Sequence, residues 1–359
     1  MTCDRCSENK TKGYAFCPQC GEDLIRFECT SCETHREMGD RFCSECGREI
    51  NPLPKKSTFS KITDVCGAII TSILVCYIII ESMVAIWGVP IVWDHLPSYT
   101  HSIFIVIPRI VSLFEFSGPA VQVYYLLILA GVLASVCYLI KRSYGPLKEE
   151  GIEGLKKTPM YETFALFAAL MFVEFTYILV LPLFGVKTTN PFEDEEVWEM
   201  MFTLLNASIY EEFVCRILYI GVPMAIIALI SRKEGTKWYR CLFGGFGVNK
   251  VALIFILFSS ALFAFGHLGW GWWKIFPTFL FGLISGYIFC KYGVYATICM
   301  HFLTDYMSAS EWLGGEPISM MTALAVVLGS CILGIPLAIS YTKRAFLWVK
   351  DEFFSPKQF

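Results

Sequence analysis

Between residues 63 and 341 the chain is a succession of eight apolar runs, at about 63–87, 119–140, 161–186, 199–230, 250–268, 273–290, 293–309 and 318–341. A helix needs about 20 apolar residues to cross a bilayer. Inside the bilayer every backbone polar group must also find its partner within the protein. Most of the runs are long enough; the fifth to seventh are short and closely connected. The 359-residue chain is 55% hydrophobic and only 17% charged, far too apolar for a soluble domain. These features predict an all-α polytopic membrane helical bundle of about eight transmembrane helices over residues 63–345, with a tail at 346–359. A further apolar stretch, 103–114, is interrupted by Pro108 and Arg109 and reads as interfacial or re-entrant. The first 60 residues are polar and rich in cysteine, without the apolar segment of a signal peptide. A net charge of −3 gives no reason to expect nucleic acid as a partner.

The loops set the orientation. Lys55, Lys56 and Lys61 precede the first run, and Lys141, Arg142, Lys148, Lys156 and Lys157 follow the second. Arg232, Lys233, Lys237, Arg240 and Lys250 follow the fourth, Lys291 the sixth, and Lys343, Arg344 and Lys350 the eighth. The alternate loops are poor in Lys and Arg and carry acidic residues such as Glu193, Glu311 and Glu316. The positive-inside rule then places both termini in the cytoplasm of a multi-pass protein in the cell membrane.

Eight of the 16 cysteines fall in the first 46 residues, as the pairs Cys3/Cys6, Cys17/Cys20, Cys29/Cys32 and Cys43/Cys46. Adding 26 to each cysteine of the first half gives one of the second, and Phe16-Cys-Pro-Gln-Cys20-Gly21 recurs as Phe42-Cys-Ser-Glu-Cys46-Gly47. The head is an internal duplication of Cys-x2-Cys-x10-Cys-x2-Cys, the ligand set of a tetrahedral structural zinc site. It resembles the double zinc-ribbon family, with two structural zinc ions over residues 1–50 and a linker at 51–62. A cytoplasmic head lies in a reducing compartment, where such sites hold zinc rather than disulfides. Each half has too little core to fold alone, so metal binding supplies the folding energy. The other eight cysteines lie in or near apolar runs and read as small hydrophobes.

The fourth run carries charges it should not. Ser208-Ile-Tyr-Glu211-Glu212-Phe-Val-Cys-Arg216 places two carboxylates and a guanidinium in an apolar helix, where each costs roughly 2.5–3.5 kcal/mol on insertion scales. They must face protein or water. Glu212 and Arg216 are four apart, share a helix face and can pair; Glu211 has no such local partner. Ser208-x-x-Glu211 fits a capping box, which places a helix break just before these charges. Two histidines add to the set: His267 closes the fifth run, and His301 shares a face of the seventh with Asp305. Two histidines and several carboxylates from three helices are the makings of a water-activating site. Glu174, in the middle of the third run, reads as a buried carboxylate that partners Arg216 or lines the cavity. Glu81 reads as interfacial, and Trp270-Gly-Trp-Trp273 as an interfacial aromatic belt or the rim of a path for an apolar substrate.

Glu211-Glu212-x-x-x-Arg216, Phe263-x-x-x-His267 and His301-x-x-x-Asp305 occur in that order on successive apolar runs. Together they resemble the three motifs of the CPBP family, the CAAX-protease and bacteriocin-processing intramembrane endopeptidases, over about residues 200–306. The resemblance implies a glutamate-dependent peptidase. In it Glu211 takes a proton from water, His267 holds that water, His301 and Asp305 stabilise the oxyanion, and Glu212 and Arg216 support them. An ionised Asp305 cannot donate a hydrogen bond, so it is either protonated or orients His301. The resemblance leaves the metal open: His267, His301 and a carboxylate are also a catalytic zinc set, while a metal-free mechanism needs none. The implied partners are the bilayer and a peptide or protein substrate, possibly lipidated. Two other readings are weighed against this one. A non-catalytic membrane protein of the same fold, whose zinc ribbon recruits a partner, has no need of Glu211. A transporter would string its charges across the bilayer, whereas these cluster. One feature of the runs resists a simple bundle: His301 lies near the cytoplasmic start of its run, whereas Glu211 and His267 lie near the far ends of theirs.

Overall fold

The computed structural model describes residues 5–12, 14, 17–20, 31–38, 57–107, 109–189, 195–231, 237–307 and 317–354. The chain divides into a head, Met1–Thr58, and a body, Phe59–Phe359. In the head, helices α1 (Cys6–Thr11) and α2 (Ser31–Glu37) are described. Of the paired cysteines, Cys20 is exposed and Cys32 is half-buried. Cys17 is buried, and its sulfur accepts a hydrogen bond from Asn9 Nδ2 at 3.3 Å. Cys3, Cys29, Cys43 and Cys46 lie outside the described residues, as do 51–56 of the linker, and Cys6 is placed only as the first residue of α1.

The body is a polytopic helical bundle. Among the described residues six helices are long and apolar enough to cross a membrane. In chain order the elements are α3 (Thr58–Trp87), the short α4 (Val89–Trp93), strands β1 (Thr100–Ile107) and β2 (Arg109–Ser117), α5 (Pro119–Leu155) and α6 (Pro159–Val180). Then come α7 (Val197–Glu212), a π-helical segment (Phe213–Gly221) and α8 (Val222–Ile230), which together form one 34-residue apolar helix. They are followed by α9 (Lys250–Gly266), α10 (Ile275–Tyr292), α11 (Val294–Tyr306) and α12 (Pro317–Phe354). The short fifth and seventh apolar runs are α9 and α11, of 17 and 13 residues. Both are apolar but fall short of the length the other spans reach.

Helix α11 occupies the centre, packed on α5, α6, α7 and α10. It starts at Gly293, whose φ of 112° only glycine adopts readily. A Cβ at Gly293 would also meet the Phe243 carbonyl at 2.8 Å. The connection below it is tied up: the Gly245 N–H donates to the Phe289 carbonyl at 2.9 Å and the Gly247 N–H to the Cys290 carbonyl at 2.7 Å. Helix α11 therefore begins beneath a loop rather than at a free surface. This is how His301, near the start of its run, reaches the depth of Glu211 and His267.

Small residues allow the helices to approach closely. Gly282 and Gly286, four apart on α10, face α9, where a Cβ on Gly282 would lie 2.9 Å from Ser260 Cα and one on Gly286 would lie 2.8 Å from an Ile256 methyl. This is the small-xxx-small contact of membrane helices. Gly282→Leu is expected to lower the stability of the body by about 1–3 kcal/mol, the usual cost of overpacking. Thermal unfolding in detergent micelles checks it, and an unchanged midpoint would show that α9 and α10 are loosely packed.

The structure departs from the sequence reading at three places. The 103–114 stretch, read as interfacial or re-entrant in an all-α bundle, forms an antiparallel hairpin, its strands in register from Thr100↔Ser117 to Ile107↔Arg109 with a bulge at Ile103/Phe104. No helix break precedes the charges, because α7 runs through to Glu212 and Ser208 donates back to the Leu204 carbonyl at 2.8 Å. The irregularity comes after them, as the π segment. Glu81, expected at an interface, is fully buried.

Candidate active site

The charged residues of the fourth run are brought to one place by four helices. Glu212 closes α7, and Arg216 lies in the π segment that follows. Both side chains are 0% exposed, with Arg216 Nε 3.2 Å from Glu212 Oε2. Desolvating such a pair is tolerated only when the remaining polar atoms are bonded, and here most of them are. Ser285 on α10 donates to Glu212 Oε2 at 3.0 Å and accepts from Arg216 Nε at 3.0 Å. Arg216 Nη1 reaches Ser259 on α9 at 3.4 Å, and Ser259 in turn donates to the Cys215 carbonyl. The guanidinium carbon lies 5.5 Å from the centre of the Phe263 ring, a cation–π contact. π-helical turns widen a helix locally and recur at functional sites. This one puts Arg216, Tyr219 and Ile220 inward while Phe213 and Leu218 remain exposed.

The other carboxylate oxygen of Glu212 holds His301. Nδ1 of His301 lies 2.8 Å from Glu212 Oε1. Because the oxygen belongs to a carboxylate already paired with Arg216, Nδ1 is the donor, and Nε2 is directed the other way. Nε2 lies 3.6 Å from Glu211 Oε2 and 3.4 Å from Asp305 Oδ2. Asp305 Oδ2 has no hydrogen bond of its own among the described residues. The rings of Phe281 and Phe263 flank His301 at 4.8 and 6.1 Å.

His267 caps the C-terminus of α9, and its Nδ1 lies 2.8 Å from the Phe263 carbonyl. A carbonyl can only accept, so Nδ1 carries the proton and Nε2 presents a lone pair. Two cavities meet at Glu211 and His267. One, of about 130 Å³, is lined by Glu174, Lys274, His301 and Asp305 as well. The other, of about 180 Å³, is lined by Phe104 and Val106 of β1, Ile110 of β2, and Tyr210. Each has room for several waters at about 30 Å³ apiece. All six residues expected from the three motifs thus gather within one region. Glu174 lines the cavity, while Arg216 pairs with Glu212. Trp270 lines both cavities and Trp272 is 79% exposed, so the aromatic run divides between rim and surface.

Lys274 was not anticipated. It is the N-cap of α10, and its ammonium lies 5.2 and 5.4 Å from the ring centres of Trp270 and Trp273. The signal was present: a lone cation inside an apolar run, as informative as a lone carboxylate. The described residues contain no group of three or more His, Cys, Asp or Glu placed to hold a metal ion. The Nδ1 atoms of both histidines are engaged by protein oxygens, so Nε2 is the nitrogen each turns toward the cavity.

Comparison with known families agrees with these motifs. Residues 193–307 match the type II CAAX prenyl endopeptidase Rce1-like family, a segment that contains Glu211, Glu212, Arg216, His267, His301 and Asp305. Residues 3–47 match the double zinc ribbon, a segment that contains all eight paired cysteines and implies structural zinc in the head. No curated protein and no solved structure matches the chain.

Proposed function

From a chain that carries a CAAX-type peptidase domain at 193–307 and a double zinc ribbon at 3–47, we propose an intramembrane, glutamate-dependent endopeptidase that hydrolyses a peptide bond at the membrane. The observation that carries the reading is the position of Glu211. It is the one glutamate of the charged motif that lines both cavities, with His267 beside it in each. A base must reach its water, and Glu212, wholly buried and fully engaged, does not.

In this reading a water held by Nε2 of His267 gives a proton to Glu211 as its oxygen attacks the scissile carbonyl. His301, protonated at Nε2, donates to the oxyanion that forms. Glu212 and Arg216 act through His301 as positioning residues, fixing its tautomer and direction. Asp305, with Oδ2 3.4 Å from Nε2, faces that nitrogen and so serves the orienting role. The proton on Glu211 then passes to the leaving amine. The substrate is a peptide presented from the bilayer, and a lipid anchor beside the scissile bond suits a site that opens among apolar helices. Both termini are cytoplasmic, and the head holds two zinc ions.

The test is purified protein in liposomes, incubated with a peptide library and followed by mass spectrometry of new termini. Cleavage by the intact chain supports the reading, and its absence across the library argues for a non-catalytic relative. Zinc content measured on the same protein is expected to be about two per chain, set by the two four-cysteine sites. His267→Ala should leave it unchanged. A third zinc lost in that variant would mean a metal centre in the membrane.

A further inference from the structure

The hairpin β1–β2 reaches down the bundle into its apolar part. Thr100 and Ser117 pair at its open end, and Ile107 and Arg109 pair beside its tip. Val106, close to the tip, exchanges hydrogen bonds with the hydroxyl of Tyr219, which lies past the midpoint of the 34-residue apolar helix Val197–Ile230. Phe104 does the same with Tyr210: its N–H donates to the hydroxyl at 2.9 Å, and the hydroxyl donates to its carbonyl. Two tyrosine hydroxyls thus do for the outer edge of β1 what a third strand does in a larger sheet.

The outer edge of β2 has no such cover. Phe104 and Val106 point their backbone groups away from β2, so their partners Ser112 and Ile110 are non-hydrogen-bonded pairs and point theirs away from β1. Among the described residues nothing bonds the outward N–H and C=O groups of Ile110 and Ser112. The side chains around them are apolar and open, with Ile110 61%, Leu113 54% and Phe114 58% exposed. A lipid-exposed open sheet edge is not tolerated at membrane depth, where each unmet group costs several kcal/mol. This edge needs a partner that brings backbone donors and acceptors, which an acyl chain does not have.

We propose that the outer edge of β2 is the docking strand for the substrate, an extended peptide segment that adds as a third strand to the hairpin. The inference rests on the peptidase reading and names how that site takes its substrate. Side chains of a strand alternate between faces. Phe104, Val106 and Ile110 share the face that lines the cavity with Glu211 and His267, so an added strand turns every second side chain toward that cavity. An extended peptide also leaves its scissile bond open to attack, which a helix does not. A second copy of this chain pairing β2 to β2 is the competing occupant. The bulge at Ile103/Phe104 leaves Leu113 unpaired on β2, and such bulges blunt edge-to-edge pairing of identical chains.

The experiment uses the full-length protein in lipid nanodiscs and the library peptide it cleaves fastest. Single backbone N-methyl groups are walked along that peptide. The expected result is a rise in KM of about tenfold at alternate positions, with intervening positions unaffected; a flat or aperiodic profile overturns the proposal. Ser112→Pro removes one outward N–H at an edge position where proline is tolerated. It should raise KM about tenfold with kcat and the unfolding midpoint nearly unchanged, and an unchanged KM overturns the proposal. Light scattering on the same samples identifies the competitor: a wild-type dimer that Ser112→Pro separates gives the edge to a second copy and overturns it. Cleavage without periodicity leaves the peptidase standing and the docking strand refuted. If no library peptide is cleaved, amide exchange at Ile110 and Ser112 decides. Slowing by millimolar library keeps the docking strand without the peptidase, and unchanged exchange removes both.

Discussion

Glu211→Gln is expected to abolish peptide hydrolysis, lowering kcat/KM by 10³-fold or more while the unfolding midpoint stays within error. A positioned general base contributes typically about 10²–10⁴-fold, and this one also supplies the nucleophile's activation. The fold survives because Glu211 holds nothing up. His301 Nε2 stands 3.6 Å from its carboxylate, beyond hydrogen-bond reach, and its side chain is 24% exposed. Glutamine has the same shape and can still hold a water, but it cannot take the proton. Activity within a few-fold of wild type would remove Glu211 from the mechanism and leave the non-catalytic reading in its place.

The same substitution one residue on should behave differently, and the contrast is what the geometry contributes beyond the motif. Sequence spacing says only that Glu212 and Arg216 share a helix face. The structure shows that Glu212 is the hub: one oxygen takes Arg216 and Ser285, the other takes His301. Ser259 and Ser285, which complete the arrangement from α9 and α10, carry no charge in an apolar run and gave no sequence signal. The gathering of His267, His301 and Asp305 was legible because ionisable groups in apolar helices must meet one another or water. The helices themselves were legible from run length. The hairpin was not, although His101–Ile107 and Arg109–Phe116 are rich in β-branched and aromatic residues. A soluble strand announces itself by alternating apolar and polar residues. Here both faces are apolar, one toward the cavity and one outward, so the alternation is absent and the stretch reads only as apolar. The π segment left no trace for a related reason: it is set by how Phe213–Gly221 packs between neighbours, not by its composition. Glu81 was misplaced because nearness to the end of a run says nothing of what packs over it.

Arg216 carries the second large effect, on stability rather than chemistry. Arg216→Ala is expected to destabilise the body by about 3–5 kcal/mol, the range for removing one partner of a buried pair. The loss exceeds a surface pair because both side chains are 0% exposed. Without the guanidinium, Glu212 keeps a buried charge against the neighbours Ser285, His301 and Thr297, and Phe263 and Ser259 lose the group packed between them. Removing the charge at both ends separates pairing from packing. Arg216→Met with Glu212→Gln replaces the pair by neutral groups of similar volume, so the double variant should unfold closer to wild type than Arg216→Ala alone. Its activity should not return. A neutral amide at Glu212 no longer holds a protonated His301 by charge, so Nε2 loses both its direction and its tendency to carry the donor proton. Chemical unfolding in mixed micelles gives the first quantity and peptide cleavage the second. A double variant that regains cleavage as well as stability would mean that the Glu212–Arg216 pair only holds the helices together, and His301 would then have to be oriented by Asp305 alone.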